Sequence, residues 1–159
     1  MSHLVKVQQS VETANGLPNE FYTDPTVFAE ETKRLLLGQW SGIAFAGDVP
    51  EVGDVYPVEL AGVPLVLVRD RDNQVRVYEN VCRHRGMILV GEAGKARQGM
   101  RCPYHSWTYD LNGRLIATPL VGGPDANHHP CIHKPDLGLL EVPAHVYLGV
   151  VYVNVSRDA

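Results

Sequence analysis

The runs Cys82-Arg83-His84-Arg85-Gly86 and Cys102-Pro103-Tyr104-His105-Ser106-Trp107 decide how this chain of 159 residues is read. Each offers one thiolate and one imidazole within a few positions, with residues 85–101 lying between the pairs. Together they make a mixed donor set of two Cys and two His, of the kind that holds transition metals. A four-coordinate zinc site is also built from Cys and His. The common zinc patterns, however, pair C-x2–4-C with H-x3–5-H or repeat C-x2-C. Here each half contributes one donor of each type.

A mixed-ligand [2Fe–2S] centre uses this set, because two Cys hold one iron and two His hold the other. Neutral imidazoles in place of anionic thiolates remove negative charge and raise the reduction potential. With CRHRG followed by CPYHSW, the chain resembles the Rieske domains of Rieske non-haem iron oxygenases, the ring-hydroxylating oxygenase alpha subunits and their relatives. The family pattern is C-x-H-R-G, a gap of this size, then C-P-Y-H-G-W. Ser106 stands where that Gly is usual, and the ligand positions are kept. The resemblance implies one [2Fe–2S] Rieske cluster, with Cys82 and Cys102 on the buried iron and His84 and His105 on the outer one. Colour separates this from the zinc alternative, since a Rieske protein is red-brown and zinc is d¹⁰.

Bulk properties narrow the class. The length suits one domain, and the composition, 45% hydrophobic and 20% charged, is that of an ordinary globular protein. A formal net charge of −4 argues against nucleic acid as a partner. No run approaches the ~20 apolar residues of a membrane span, and MSHLVKVQQSVETANG lacks the apolar core of a secretion signal. Of three cysteines, Cys131 has no evident partner, which suits a reduced, cytoplasmic protein. In respiratory Rieske proteins each ligand loop carries an extra Cys, and the two form a disulfide. Met87 and Tyr104 occupy those places here.

The pattern along the chain predicts an all-β fold with one helix in front. Residues 1–18 are polar and unpatterned. Thr23 or Asp24 caps a helix, Pro25 suits its first position, Gly38 ends it, and Phe28, Leu35 and Leu36 share a face. Residues 17–40 resemble the lead-in segment of oxygenase alpha subunits, so residues 1–38 are read as an N-terminal segment and 39–159 as the Rieske domain. Strands are expected at Val55–Leu60, Pro64–Val68, Val75–Tyr78, Trp107–Tyr109, Arg114–Ala117, Leu139–Val142 and Val146–Val153. Turns fall at Ala61-Gly62, Arg71-Asp72-Asn73 and Asp110 to Gly113. No internal repeat is visible. The expected architecture is a Rieske iron–sulfur fold of short antiparallel sheets, with two hairpin loops clasping the cluster.

Several residues tempt a second assignment. Asp125, His128 and His133 fit D-x-x-H-x4-H, the spacing this oxygenase family uses around its mononuclear iron. In the family that motif lies in a separate catalytic domain and largely on a helix. Pro124 and Pro130 break any helix here, so a polar loop is expected. His129 and Cys131, and the isolated His3 and His145, are read as ordinary residues. Arg83 and Arg85 flank His84, where they either dock a redox partner or stay solvated. Tyr104 and Trp107 are expected to pack against the ligand loops.

The resemblance implies the electron-transfer domain of a terminal oxygenase, with no catalytic residue in the chain. It would accept single electrons from a ferredoxin or flavin reductase. It would pass them to a mononuclear Fe(II) in a catalytic domain outside these residues, within a trimer where electrons cross between subunits. A free-standing Rieske-type ferredoxin carrier is the alternative. Respiratory Rieske proteins place a cluster-bonding Ser two residues after the second His. Trp107 stands there, which places the potential toward the lower end of the Rieske range.

Overall fold

The computed structural model describes residues 5–157. His3 lies outside them. Asp24 caps the leading helix, its carboxylate accepting from Thr26 N–H at 2.8 Å and from the Thr26 hydroxyl at 2.7 Å. A short turn of helix, α1 (Glu20–Thr23), precedes α2 (Pro25–Glu31), which begins on Pro25 as expected. Thr23 is not the cap; its hydroxyl donates to Asn19 C=O at 3.1 Å.

The expected helical face is not formed. Past Glu31 the helix widens into a π-turn over Thr32–Leu36, with Leu37 N–H donating to Thr32 C=O at 3.0 Å. That inserted residue shifts the 3.6-residue register, and Phe28, Leu35 and Leu36 are all exposed, while Phe21, Val27 and Leu37 are half-buried.

From Ser41 onward the chain is β, in three antiparallel sheets. β1 (Ser41–Phe45), β10 (Ala144–Tyr147) and β11 (Val150–Val153) form the first, in the order β1-β11-β10. The second contains β2 (Asp54–Leu60), β3 (Val63–Arg69), β4 (Val75–Glu79), β5 (Gly94–Lys95) and β9 (Glu141–Val142). Its order is β5-β2-β3-β4-β9. The third, β6-β7-β8, is small: β6 (Met100–Arg101), β7 (Thr108–Tyr109) and β8 (Leu115–Ala117).

The expected run Val146–Val153 is a hairpin rather than one strand. It reverses at Leu148 and Gly149, whose φ angles are 49° and 83°. Positive φ at both central residues is the turn that suits the twist of a hairpin.

Two polar turns share one design. At Asp70–Gln74 the Asp70 carboxylate accepts from Asp72 and Gln74 N–H, at 2.9 and 2.8 Å. At Asp110–Arg114 the Asp110 carboxylate accepts from Asn112 and Arg114 N–H, both at 2.9 Å. Each turn places its fourth residue at positive φ, Asn73 at 60° and Gly113 at 75°. A Cβ on Gly113 would stand 2.6 Å from the Tyr78 ring, so this turn packs directly on β4.

β3 is the central wall. Its residues Leu65 to Val68 have no solvent exposure, and their alternation divides the interior. Leu65 and Leu67 join Val49, Val77, Val142, Val151 and Val153 on one face. Val66 and Val68 face the other core, with Tyr78, Cys82, Leu89, Met100, Cys102, Trp107 and Tyr109.

Asp70 is wholly buried at the end of β3 and pairs with Arg76 Nε at 2.6 Å. Burial alone would raise its pKa. The N–H of Gln74, the Arg76 guanidinium and the N–H of Asp72 outweigh burial and hold it below the ordinary value. Asp70→Ala is therefore expected to cost about 2 kcal/mol in denaturant unfolding, because it removes the two hydrogen bonds that hold the turn and leaves the Arg76 guanidinium to its exposed partner Glu141 at 2.9 Å. A depressed carboxylate pKa means the Asp70 contribution is fully present above about pH 4. It is lost as the pH falls through the folded value, so the variant should show a weaker acid dependence of stability than wild type.

Candidate functional site

Both ligand-type motifs sit in six-residue hairpin loops of the same length. Val81 bridges Ile88 across the first, and Arg101 pairs with Thr108 across the second. The backbone closes both in the same way. Cys82 N–H donates to Met87 C=O at 2.8 Å and Gly86 N–H to Cys82 C=O at 3.0 Å. Cys102 N–H donates to Trp107 C=O at 2.8 Å and Ser106 N–H to Cys102 C=O at 3.0 Å. The fifth residue of each motif turns left-handed, Gly86 at φ 72° and Ser106 at φ 61°. Glycine adopts that conformation freely; for Ser106 it costs roughly 1 kcal/mol or more. The repeat is one of backbone form, and the sequences share little beyond the leading Cys.

The loops bring their donors together with thiols below and imidazoles above. Cys82 and Cys102 are buried in the core, and neither forms a disulfide. His84 and His105 are half-buried at the rim, with ring centroids 4.7 Å apart in an edge arrangement. Trp107 is buried and stacks on His84 at 4.6 Å, while Tyr104 lies over His105 at 3.7 Å. The expectation that these aromatics pack on the ligand loops agrees with this geometry.

The electrostatics suit metal ligation. Burial pushes the Cys82 thiol up, with the Tyr109 hydrogen bond opposing. Burial, then the neighbouring His105 and Arg85, lower His84, which keeps it as the neutral imidazole that a metal binds. His105 Nδ1 is buried without a hydrogen-bond partner among the described residues. An orphaned buried nitrogen is costly and fits a ring whose partner is a metal.

Among the described residues no three His, Cys, Asp or Glu side chains converge on a single ion position. A two-iron cluster takes only two protein ligands on each iron, and the four donors here fit that division.

Two residues missed by the sequence reading support the loops. Tyr109 reaches across from β7: its hydroxyl accepts from Arg83 N–H at 3.0 Å and lies 3.4 Å from Cys82 Sγ. Burial and the neighbouring thiol hold its phenol well above the ordinary pKa, so it stays a donor. Asn80 is buried and clamps Val90 from both sides, through Nδ2 to C=O at 2.7 Å and through Oδ1 from N–H at 2.9 Å. An Asn directly preceding a ligand loop is the only local signal for it.

The remaining candidates lie elsewhere. Asp125, His128 and His133 are exposed on the 118–133 loop and are not gathered around an ion position. His133 Nδ1 instead meets Asp136 at 3.0 Å, and His129 Nδ1 accepts from Cys131 N–H at 3.2 Å. His145 is exposed on β10 beside Trp40, Tyr147 and Tyr152. Arg83 and Arg85 are exposed and have no acidic partner among the described residues.

A family model described as the Rieske [2Fe-2S] domain matches residues 39–134. The chain belongs to the Rieske [2Fe–2S] domain family. This Rieske chain is similar to the 2-aminobenzenesulfonate 2,3-dioxygenase subunit alpha of Alcaligenes sp, at 33% identity over 155 residues. That match covers 95% of this chain and 38% of the relative. It is also similar to the biphenyl 2,3-dioxygenase subunit alpha of Rhodococcus jostii (strain RHA1), 29% identical over 148 residues, covering 93% of this chain and 31% of the relative. A solved structure of the quaternary ammonium Rieske monooxygenase CntA in complex with an inhibitor superposes with a TM-score of 0.82 at 29% identity. That superposition covers 92% of this chain and 40% of CntA. The chain thus spans well under half the length of these oxygenase relatives. Among the described residues no helix is long and apolar enough to cross a membrane.

Asn80 carries the fixed entry into the first ligand loop. Asn80→Ala leaves the N–H and C=O of Val90 unpaired in the core and is expected to cost about 2–3 kcal/mol in unfolding free energy. Hydrogen exchange should report the same change locally, with protection lost over residues 81–90 before the rest of the second sheet.

Proposed function

We propose that this chain is the electron-transfer domain of a Rieske oxygenase, holding one [2Fe–2S] cluster through Cys82, His84, Cys102 and His105. The observation that carries this is the edge contact of His84 and His105 above two buried thiols, with His105 Nδ1 left without a partner among the described residues. The cluster, when bound, supplies one-electron transfer. The chain's own residues do the rest. Two thiolates and two neutral imidazoles fix the ligand charge, Trp107 and Tyr104 limit the motion of the imidazoles, and the core excludes water from the thiol side.

In this reading residues 39–159 carry the cluster and residues 1–38 form a lead-in segment. Electrons arrive from a ferredoxin or flavin reductase and leave for a mononuclear non-haem iron in a catalytic domain that these residues do not include. Neighbouring subunits, as in a trimer, are the further partners. The similarity to dioxygenase alpha subunits and to a monooxygenase supports the oxygenase setting. It does not choose between mono- and dioxygenation.

The test is iron and sulfide analysis of the purified red-brown protein, with EPR of its reduced form. One cluster's worth of each per chain, with the low average g value of mixed Cys/His ligation, is the expected result. Cys102→Ser should abolish or severely impair assembly, because a hard hydroxyl is a poor iron–sulfur ligand. An unchanged mixed-ligand signal from that variant would refute the assignment.

Tyr109 makes a second prediction. Reading the sequence alone credits this loop with no hydroxyl donor, since Trp107 stands where the respiratory proteins have Ser. Tyr109 supplies one at the Cys82 sulfur. A hydrogen bond that favours the reduced state by about 1.4 kcal/mol corresponds to about 59 mV for one electron. Tyr109→Phe should therefore lower the midpoint potential by about 60 mV in a redox titration. Wild type should still lie below about +100 mV, in the lower part of the Rieske span. An unchanged midpoint in Tyr109→Phe would remove Tyr109 from any tuning role.

A further inference from the structure

The two hairpin loops share one backbone form but are held in different ways. The first is fastened from outside by buried groups. Asn80 grips Val90 beyond its exit, and the buried Tyr109 hydroxyl accepts from Arg83 N–H and meets Cys82 Sγ. Its left-handed position is Gly86, which adopts φ 72° without strain. The second is fastened within its own hairpin. Arg101 Nη2 donates to Ser106 Oγ at 2.8 Å, and the Thr108 hydroxyl donates to Ser106 C=O at 3.0 Å. Arg101 is exposed, and Ser106 and Thr108 are half-buried. Ser106 sits at φ 61°, a backbone position that a residue with a side chain resists.

The imidazoles differ in the same sense. His84 lies nearly flat on the buried Trp107, their planes 11° apart. His105 meets Tyr104 at a 34° tilt, and Tyr104 is 58% exposed. An open cleft of about 470 Å³ reaches both rings. Arg101, Tyr104, His105 and Ser106 of the second hairpin wall it, whereas the first loop contributes His84 alone. Solvent therefore approaches the site along the second loop.

We propose that the second loop is the yielding side of the site, where iron and sulfide are released and taken up, and that Arg101 and Ser106 are positioning residues forming the latch that holds it shut. This inference rests on the reading that Cys82, His84, Cys102 and His105 hold the cluster. In the opening step the bond from His105 to iron breaks and an incoming donor atom takes its place, with no electron transferred. Strain at Ser106 favours opening, because the loop relaxes once that residue leaves the left-handed region. The bond from Arg101 opposes it. The glycine usual at this position would bring neither the strain nor the hydroxyl.

The experiment uses the cluster-loaded full chain with excess EDTA as the iron acceptor and follows the loss of visible absorbance. Hydrogen exchange is read in parallel on peptides spanning 82–87 and 102–107, which contain equivalent backbone bonds. A wild-type chain that holds no cluster would overturn the underlying reading. With the cluster present, residues 102–107 should exchange about tenfold faster than 82–87, relative to their intrinsic rates. Equal or reversed exchange would overturn the yielding loop. Arg101→Met should speed cluster loss about tenfold, the worth of one hydrogen bond, with exchange over residues 63–69 unchanged. Arg114→Met, which removes an exposed charge from the third sheet, should match wild type. In a Ser106→Gly background Arg101→Met should add nothing, because the bond it would break is already gone. Ser106→Asn suits the left-handed position and supplies an acceptor, so it should keep the cluster at least as long as wild type. Arg101→Met at the wild-type rate would overturn the latch. So would an equal acceleration in the glycine background, or faster exchange over 63–69, which marks general loosening. Ser106→Asn losing its cluster as fast as Arg101→Met would overturn the role of the Ser106 acceptor.

Discussion

A cluster that takes two ligands from each of two loops can form only if those loops stand side by side at the same height. Here the constraint is met by backbone chemistry. Each six-residue loop is closed by the same pair of hydrogen bonds between its Cys and residues four and five positions on, and each turns left-handed at its fifth residue. The two reversals therefore present their first residue inward and their His at the rim. His84 is two positions after its Cys and His105 three, yet the rings meet at 4.7 Å. Tyr109 ties the reversals together, since it belongs to the second hairpin and bonds the backbone and sulfur of the first.

The rest of the fold holds this pair of loops in place. β3 is buried on both faces and separates two cores, so the floor beneath the thiols is backed by a second packed layer rather than by solvent. The turn at Asp110–Arg114 presses Gly113 against Tyr78 and thereby docks the small third sheet on the large second one. Asn80 fixes the exit from β4 into the first loop. The outcome is an asymmetric site with a dry, thiol-lined base and imidazole edges open to a cleft. That is the arrangement an electron carrier needs, because the rim admits a partner while the base excludes water.

Much of this was legible in the sequence because the determinants are local. Two Cys and two His at these spacings mark the two hairpin loops that come together. The alternation in Val75–Tyr78 and the Asp-led polar turns after β3 and β7 mark the large sheet and the third hairpin. What could not be read follows from non-local or concealed causes. The continuous apolar run Val146–Val153 hides a reversal at Leu148-Gly149, since only backbone angles distinguish it from one strand. The helix face at Phe28, Leu35 and Leu36 fails because a π-turn changes the period partway along. Two-residue strands such as β5 and β6 are too short for any periodicity. The matched form of the two ligand loops escapes notice because a glycine fills the left-handed position in one and Ser106 in the other. The Tyr109 contact joins residues 26 and 27 positions apart, beyond the reach of any local pattern.

Two imidazoles and two thiols sharing one two-iron cluster require a fixed number of histidine nitrogens on iron, and that number can be counted. Protein produced with ¹⁵N-labelled histidine, reduced and studied by pulsed EPR, should show two strongly coupled histidine nitrogens on the same iron. One of them should disappear in His84→Cys and the other in His105→Cys, wherever those variants retain a cluster. A reduced cluster with no strongly coupled histidine nitrogen, or couplings that survive both substitutions, would contradict the account.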